Sequence, residues 1–422
     1  MKDQASLPTM RIKSTTISHF RGISNLQLNF EMQTTVLSGV NGVGKSTILD
    51  ALSTQLSKID FAAGDFIKSK PVKQEDIQSS FDGYELSVVV DLFGQEVIYT
   101  EASVKKPGVN KQIQPIRSMQ ARTNSVLPEM DRISPLIAYY SATRAAIDIP
   151  ERIRPRKSSL LLGSPSESLL IEGIDFRHFF AWFKDQEDLE NEGRLEHPNH
   201  RDEALSAVRS AIERFTSFEG LRVRRKTPMR MTVRKSGIEL SVSQLSDGER
   251  NLLAMVGDIA RRLALLNPNT DARAILAGQG VVLIDEIELH LHPKWQRDII
   301  VNLEKTFPNC QFIVTTHSPQ VLSHVHENQV WILRLNAKGE VEAIRPQATF
   351  GMDSNRILEE VMEVPERPKE AKDRIEQLFA LLGSNDSARA KLELNELEIQ
   401  YPDLPELSQA RALLRRKEII GR

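Results

Sequence analysis

The stretch GVNGVGKST, which runs from Gly39 to Thr47, fits the pattern G-x-x-x-x-G-K-[ST]. An apolar run, Thr35 to Leu37, precedes it and predicts a buried strand, and Ser46 to Ser53 predicts the opening of a helix. Glycines in such a loop let backbone N–H groups turn inward around an anion, and the helix N-terminus adds a positive dipole. The stretch therefore predicts an α/β fold in which a loop binds phosphate groups.

The side chains of this loop suit a nucleoside triphosphate together with Mg²⁺. Lys45 is expected to reach the outer phosphates, and Ser46 is expected to ligate Mg²⁺. The expected ligands are therefore a nucleoside triphosphate, which the resemblance described below identifies as ATP, and Mg²⁺. The other loop residues expected to contact the nucleotide are Gly39, Asn41, Gly42, Gly44 and Thr47.

Two later segments predict strands that end in residues suited to hydrolysis. GVVLIDE, Gly280 to Glu286, has an apolar run typical of a strand buried on both faces, followed by two carboxylates. Asp285 is expected to hold Mg²⁺ directly or through water, and Glu286 is expected to act as the general base. QFIVTTHSP, Gln311 to Pro319, repeats the pattern and places His317 where it can hydrogen-bond the γ-phosphate or the attacking water.

A further motif, LSDGER, runs from Leu245 to Arg250 and opens the predicted helix DGERNLLAMVGDIARRLALL. The hydroxyl of Ser246 and the backbone of Gly248 stand at the start of that helix. Because a helix N-terminus binds anions, this end is expected to face a phosphate.

In the order P-loop, LSDGER, VVLIDE, TTHSP, the chain resembles the ABC-type ATPases. The resemblance implies that Ser246 and Gly248 contact the γ-phosphate across a dimer and that His317 is the switch histidine. The segment His19 to Gly22 resembles the NFRG element of the RecF, Rad50 and SMC branch, which implies that Arg21 lies near the phosphates. The alternative for that residue is a surface arginine in a turn. Gln74 and Gln78 both remain candidates for the Q-loop.

The organisation of the chain follows from these motifs. Residues 1–350 are expected to form the ATPase head, with a compact helical insertion at about 150–220 instead of the long coiled coil of Rad50 and SMC proteins. The insertion begins with a loop rich in Pro, Arg and Ser (150–168). Residues 351–422 are expected to form helices, either an interaction segment or a plain cap on the ATPase. Arg144, after the predicted strand PLIAY, is a candidate for the ligand-facing edge or for a structural ion pair.

The segment LRVRRKTPMRMTVRK, Leu221 to Lys235, holds seven basic residues and no acid. It predicts either a contact with a nucleic-acid backbone or a solvated hairpin face.

Two histidine patterns have simpler explanations. His290 and His292 form an H-x-H that could bind metal, but the D-loop is expected at the same place. Arg194 with His200 matches a loose ribonuclease spacing that is common by chance.

The composition of the chain limits the classes of protein to which it can belong. The formal net charge of −2 does not indicate nucleic-acid binding, and one cysteine excludes a disulfide framework within the chain. The chain shows neither a signal peptide nor an apolar run long enough for a membrane span, which predicts a cytoplasmic protein without membrane contact.

Longer strings, among them LIDEIELHLHPKWQR and FGMDSNRILEEVMEV, are similar to the ATPases of bacterial anti-phage systems, the Septu type and its retron-associated relatives. This resemblance implies a homodimer or higher homo-oligomer that works with a separately encoded HNH nuclease. We expect the chain to hydrolyse ATP slowly and to control that nuclease. The 105 residues after His317 contain no D-x-D following an apolar strand, so no nuclease site is expected in this chain. The alternatives are a RecF-like DNA-repair ATPase, which leaves nucleic acid open as a partner, a transporter ATPase and a fused anticodon nuclease.

Overall fold

The computed structural model describes residues 10–60, 65–66, 71–79, 81–92, 94–104, 116–121, 135–142, 176–226, 228–365, 367–384 and 386–420. The predictions made for Arg144 and for the loop at 150–168 lie outside these residues. The strands are β1 (Met10–Phe20), β2 (Ile23–Asn29), β3 (Thr34–Gly39), β4 (Ile59–Asp60), β5 (Asp65–Phe66), β6 (Gly83–Leu92), β7 (Gln95–Val104), β8 (Ile116–Ala121), β9 (Leu136–Tyr140), β10 (Glu219–Arg224), β11 (Arg230–Lys235), β12 (Ile238–Ser241), β13 (Gly280–Ile284), β14 (Cys310–Thr316), β15 (Val330–Leu335) and β16 (Val341–Ile344). The helices are α1 (Lys45–Leu56), α2 (Phe176–Glu196), α3 (Glu203–Thr216), α4 (Asp247–Leu266), α5 (Ala272–Leu276), α6 (Pro293–Thr306), α7 (Pro319–Leu322), α8 (Ser354–Arg356), α9 (Lys369–Gly383), α10 (Ser387–Gln400) and α11 (Pro405–Ile420).

A six-stranded sheet in the order β16-β15-β3-β14-β13-β9 organises the molecule. All its pairings are parallel except that of β15 with β16. Every residue of β3, β13 and β14 is buried, as expected for strands covered on both faces. Because these three strands are parallel neighbours, their carboxyl ends meet at one edge, and ligands bind at that edge in such sheets.

A second sheet, antiparallel and in the order β2-β1-β6-β7-β8, shares one hydrophobic core with α1. The core joins Ile48, Leu49 and Leu52 of the helix to residues of both sheets. The hairpin predicted for residues 10 to 30 is the pair β1–β2. Because α1 packs against both sheets, the loop that opens it is held on a rigid element.

A buried ion pair lies just beyond the far end of α1. The ammonium of Lys58 donates to both carboxylate oxygens of Glu101 on β7, at 2.7 and 2.6 Å, and the hydroxyls of Tyr84 and Tyr99 donate to the same carboxylate. Burial alone would raise the pKa of Glu101, but Lys58 and the two hydroxyls outweigh it and hold that pKa below its ordinary value. Both charges are therefore compensated, and the pair fixes the end of α1 to the antiparallel sheet.

The described helices of the insertion, α2 and α3, pack against α4. The ring of Phe179 lies so close to Gly257 that a Cβ there would stand 2.8 Å from it. Asp202 caps α3 by accepting from the N–H of Leu205 at 2.7 Å. The insertion thus supports the helix that begins at the LSDGER motif.

Residues Leu358–Arg422 form a compact unit of their own, separate from Met1–Ile357. Its helices α9, α10 and α11 share a small leucine-rich core that includes Leu378, Leu394 and Leu397. None of the helices in the described ranges is long and apolar enough to cross a membrane.

Candidate nucleotide site

The phosphate-binding loop joins β3 to α1. Gly44, the N-cap of α1, has a φ of 107°, a left-handed conformation that glycine adopts at little cost. The ammonium of Lys45 donates to the carbonyl oxygens of Gly39 and Val40, both at 3.0 Å, so the lysine lies inside the loop. Burial lowers the pKa of Lys45, and the carboxylates of Asp285 and other nearby acids act in the opposite direction.

One hydrogen bond brings together the two residues predicted to hold Mg²⁺. The hydroxyl of Ser46 donates to Oδ2 of Asp285 at 2.8 Å across 239 residues of sequence. The other carboxylate oxygen, Oδ1, accepts from the hydroxyl of Thr315 at 2.6 Å. The carboxylate of Asp285 is therefore held from both sides, with Oδ2 turned toward the start of α1.

These donors fit Mg²⁺, which binds hard oxygen ligands and commonly takes only one or two of them from the protein. Ser46 and Asp285 supply a hydroxyl and a carboxylate side by side. Within the described ranges no group of three or more His, Cys, Asp or Glu residues could hold a metal ion by itself. An ion held by Ser46 and Asp285 would take its remaining ligands from water or from the phosphates of a nucleotide.

Glu286 directly follows Asp285 and has a positive φ of 46°. Its backbone N–H donates to the hydroxyl oxygen of Thr315 at 2.8 Å. Because the same hydroxyl donates to Asp285, Thr315 fixes the carboxylate of Asp285 and the backbone of Glu286. A left-handed φ in a residue other than glycine is uncommon, and this one turns the chain sharply at the end of β13.

His317 follows β14, one strand away from the loop. Burial lowers the pKa of His317, the ammonium of Lys45 lowers it further, and Asp285 raises it. A lowered pKa keeps the ring neutral at neutral pH, so one ring nitrogen can donate a hydrogen bond and the other can accept one.

Glu288 is a site residue that the sequence analysis missed. Its Oε1 accepts from the backbone N–H of His317 at 2.5 Å, and its Oε2 accepts from the hydroxyl of Thr316 at 2.8 Å. Its position three residues after Asp285 was the only sign in the sequence that it belongs to the site. Its contact with the backbone after β14 depends on the three-dimensional structure.

Arg21 lies at the turn between β1 and β2 and pairs with two carboxylates. Its guanidinium contacts Asp50 on α1 and donates to Asp76 at 2.9 Å. The next residue but one, Ile23, packs near Gly44, so the turn borders the phosphate-binding loop. The structure thus places Arg21 beside the loop with carboxylate partners, and its contact with phosphates stays a prediction.

Of the two Q-loop candidates, Gln78 lies at the same turn. Its backbone N–H donates to the carbonyl of His19 at 3.1 Å, and its side-chain amide donates to Ser24 at 3.1 Å. Its Oε1 is buried and accepts no hydrogen bond. Gln74 begins an exposed 3₁₀ turn. The structure thus places Gln78 at the turn that carries Arg21, and the assignment of the Q-loop residue stays open.

Ser246 is the N-cap of α4 and forms a capping box with Glu249. Its backbone N–H donates to Oε2 of Glu249 at 3.0 Å, and its hydroxyl accepts from the N–H of Glu249 at 3.4 Å. Gly248 passes so close to the segment after β13 that a Cβ would stand 2.2 Å from the carbonyl oxygen of His290. The motif therefore needs glycine for packing within the chain, whatever else it binds.

A buried cluster ties α4 to the strand beside β13. The hydroxyl of Tyr140 donates to Asp258 at 3.0 Å, and the carbonyl of Tyr140 accepts from the N–H of Asp285 at 2.8 Å. Burial would raise the pKa of Asp258, but the guanidinium groups of Arg262 and Arg261 hold it well below its ordinary value. Asp285 and the LSDGER helix are thus connected through Tyr140.

The basic segment predicted at Leu221–Lys235 forms β10 and β11, and five of its seven cations pair with acids of this chain. The pairs are Arg222 and Arg224 with Glu239, Arg225 with Glu187 and Asp188, Arg234 with Glu219, and Lys235 with Glu249. Most of its charge is therefore neutralised within the fold.

Two other histidine patterns have structural explanations. His292 caps α6 by accepting from the N–H of Lys294 at 3.2 Å, and no metal cluster includes it among the described residues. The guanidinium of Arg194 donates to the carbonyl of His200 at 3.1 Å, which closes the turn after α2.

The mixed sheet, the phosphate-binding loop, the LSDGER helix and the acid-ended strand together define an ABC-type ATPase. The family described as "AAA domain, putative AbiEii toxin, Type IV TA system" matches residues 34–323, and the chain belongs to it. It is an ATPase, and its similarity to probable ATPases of retrons extends over most of its length.

The retron Ec83 probable ATPase of Escherichia coli is 31% identical over 86% of this chain and 78% of its own length. The Septu protein PtuA of Bacillus thuringiensis is 23% identical over 84% of this chain and 85% of its own length. A solved SMC head, bound to the C-winged helix domain of ScpA, superposes with a TM-score of 0.50 and 13% identity over 79% of this chain and 97% of its own. That likeness shows the fold alone.

Replacing Asp258 by Ala should lower the free energy of unfolding by about 3–5 kcal/mol, because it leaves two largely buried guanidinium groups without their partner. Tyr140→Phe, which removes one hydroxyl, should cost only about 1 kcal/mol. Thermal unfolding of the two variants beside the wild type measures the difference. Equal and small losses would show that the cluster does not hold α4.

Proposed function

We propose that this chain binds ATP with Mg²⁺ and hydrolyses it slowly between two copies of itself, and that its nucleotide state controls a separately encoded nuclease in anti-phage defence. The observation that carries the hydrolytic part is the convergence of Ser46, Asp285 and Thr315 at one sheet edge. The similarity to retron and Septu proteins supports the defence part.

Each residue has a task in this proposal. Lys45 binds the outer phosphates, and Ser46 with Asp285 would hold Mg²⁺, which would neutralise charge on the phosphate oxygens. Thr315 keeps the turn after β13 in place, so that Glu286 can take a proton from the attacking water. The neutral ring of His317 hydrogen-bonds the γ-phosphate or that water.

The second copy supplies Ser246 and Gly248. In the capping box the hydroxyl of Ser246 accepts from the N–H of Glu249, so its own proton can be donated to an anion at the first turn of α4. In the proposed dimer this end faces the γ-phosphate held by the other copy. Closure of the dimer then reports the presence of ATP, because the phosphate contributes contacts to the closed state only.

A direct DNA-repair function would require the basic segment to have free cations for a nucleic-acid backbone, whereas control of a nuclease partner would not. Its pairing with acids in this chain is a reason to favour a protein partner over direct binding of a nucleic-acid backbone by that surface. We therefore propose that the nuclease is a separate subunit of HNH type and that this chain controls it through its nucleotide state.

Glu286→Gln should reduce the rate of ATP hydrolysis by about 100-fold or more, because it removes the general base, and should leave ATP binding intact. The matched control is Glu327→Gln at an exposed position, which should hydrolyse ATP as the wild type does. Phosphate release and equilibrium binding of a fluorescent ATP analogue measure the two quantities. Hydrolysis near the wild-type rate in Glu286→Gln would contradict the assignment of the base.

Mixing two inactive variants tests the shared site. Lys45→Ala and Ser246→Arg should each be inactive alone, but a mixed dimer contains one site with an intact loop from one copy and an intact LSDGER helix from the other. Mixing should therefore restore part of the ATPase activity. The control is the double variant Lys45→Ala/Ser246→Arg mixed with Lys45→Ala, in which no site is intact. No recovery in the first mixture would contradict a site built from two chains.

Cells that carry this gene with its neighbouring genes should resist phage, and Lys45→Ala should remove the resistance because the chain can no longer bind ATP productively. Plating efficiency measures the protection, and immunoblotting checks that the variant is present at the same level. Full protection by Lys45→Ala would separate the defence function from the nucleotide site.

A further inference from the structure

We propose that Glu288 is a positioning residue for ATP hydrolysis, because its carboxylate holds the backbone at His317 and so sets where the imidazole stands against the terminal phosphate. This inference rests on the role that the proposed function gives to His317. It goes beyond that function by assigning a separate residue to the orientation of the histidine.

The carboxylate is held by two donors from the end of β14. Oε1 accepts from the N–H of His317 at 2.5 Å, and Oε2 accepts from the hydroxyl of Thr316 at 2.8 Å. The hydroxyl of Thr316 also accepts from the N–H of Ser318 at 3.0 Å, so its proton is directed to Glu288. Three consecutive residues, Thr316 to Ser318, are therefore tied to one side chain.

Both contacts require an acceptor, and a carboxylate offers one on each oxygen. An amide at this position would keep one acceptor and turn its NH₂ group toward a hydroxyl whose proton already points at it. The hydrogen bonds to an ionised carboxylate are also about twice as strong as those to a neutral group. Glutamate is thus chemically specific here in a way that a side chain filling space would not be.

The turn that carries Glu288 is fixed at both sides. The N–H of Ile287 donates to the carbonyl of Thr315 at 3.0 Å, and the N–H of Leu291 donates to the carbonyl of Glu288 at 2.9 Å. This turn follows Glu286 directly. The proposed base and the proposed histidine are therefore connected by a single rigid link, and Glu288 forms its side-chain part.

The half-buried carboxylate lies within the electrostatic reach of the site. Burial raises the pKa of Glu288, the contacts from His317 and Thr316 lower it, and the negative charge of Glu286 raises it again. The charge of Glu288 also acts on the ammonium of Lys45. The net effect is a pKa of Glu288 above its ordinary value, so a third carboxylate beside Asp285 and Glu286 costs free energy that its two hydrogen bonds offset only in part.

The experiment measures kcat and KM for ATP in Glu288→Gln and Glu288→Ala, with Glu327→Gln as the matched control. We expect kcat to fall roughly 10- to 100-fold, the range that charge-assisted hydrogen bonds are worth, while KM stays within about twofold. Thermal unfolding checks that each variant is folded. If Glu288→Ala does not fold, Thr316→Val removes one of the two contacts and should lower kcat by a smaller factor.

A double-mutant cycle with His317→Ala tests whether Glu288 acts through the histidine. In the His317→Ala background, Glu288→Gln should cause almost no further loss of kcat, because there is no imidazole left to orient. A full and multiplicative loss in that background would overturn the proposal, because Glu288 would then act independently of His317.

The single variants separate this inference from the proposed function. A wild-type kcat in His317→Ala would contradict the role of the histidine in the proposed function. A reduced kcat in His317→Ala together with a wild-type kcat in Glu288→Gln would leave that function standing and overturn the positioning role of Glu288.

Discussion

The hydroxyl of Thr315 holds the arrangement on which the rest of the site depends. It donates to Asp285 and accepts from the backbone N–H of Glu286, and the other oxygen of Asp285 accepts from Ser46. These contacts are possible because β3, β14 and β13 are parallel neighbours whose carboxyl ends meet at one edge. The order of strands in the sheet is thus the physical reason that three distant motifs form one site.

The sequence predicts those features of the fold and site that depend on neighbouring residues in the chain. The phosphate-binding loop, the buried strands with acidic or polar ends and the helix after LSDGER all follow from local patterns, and the structure places each where it was expected. The α/β fold and the ATPase activity are confirmed by the comparisons with known proteins. The assignments of individual residues to ATP, Mg²⁺ and catalysis stay predictions.

Contacts between distant segments were not predictable, since no local pattern records them. The pairing of Arg21 with Asp50 and Asp76, the contact of Tyr140 with Asp258, and the capture of the His317 backbone by Glu288 each depend on how strands and helices come together. The basic segment shows the same limit, because its acidic partners come from elsewhere in the sequence, Glu187 and Glu249 among them.

The LSDGER helix is the element that connects one chain to a second copy in the proposed dimer. Its first turn is capped by its own residues, its Gly248 is required by the close approach of His290, and its middle is fixed through Asp258 to the strand beside the nucleotide site. The most direct measurement is a cryo-EM structure of Glu286→Gln with ATP and Mg²⁺. We expect Ser246 and the backbone N–H of Gly248 from a second copy to lie within hydrogen-bond distance of the γ-phosphate. A fully ordered ATP whose γ-phosphate is covered by residues of the same chain alone would contradict a site built from two chains.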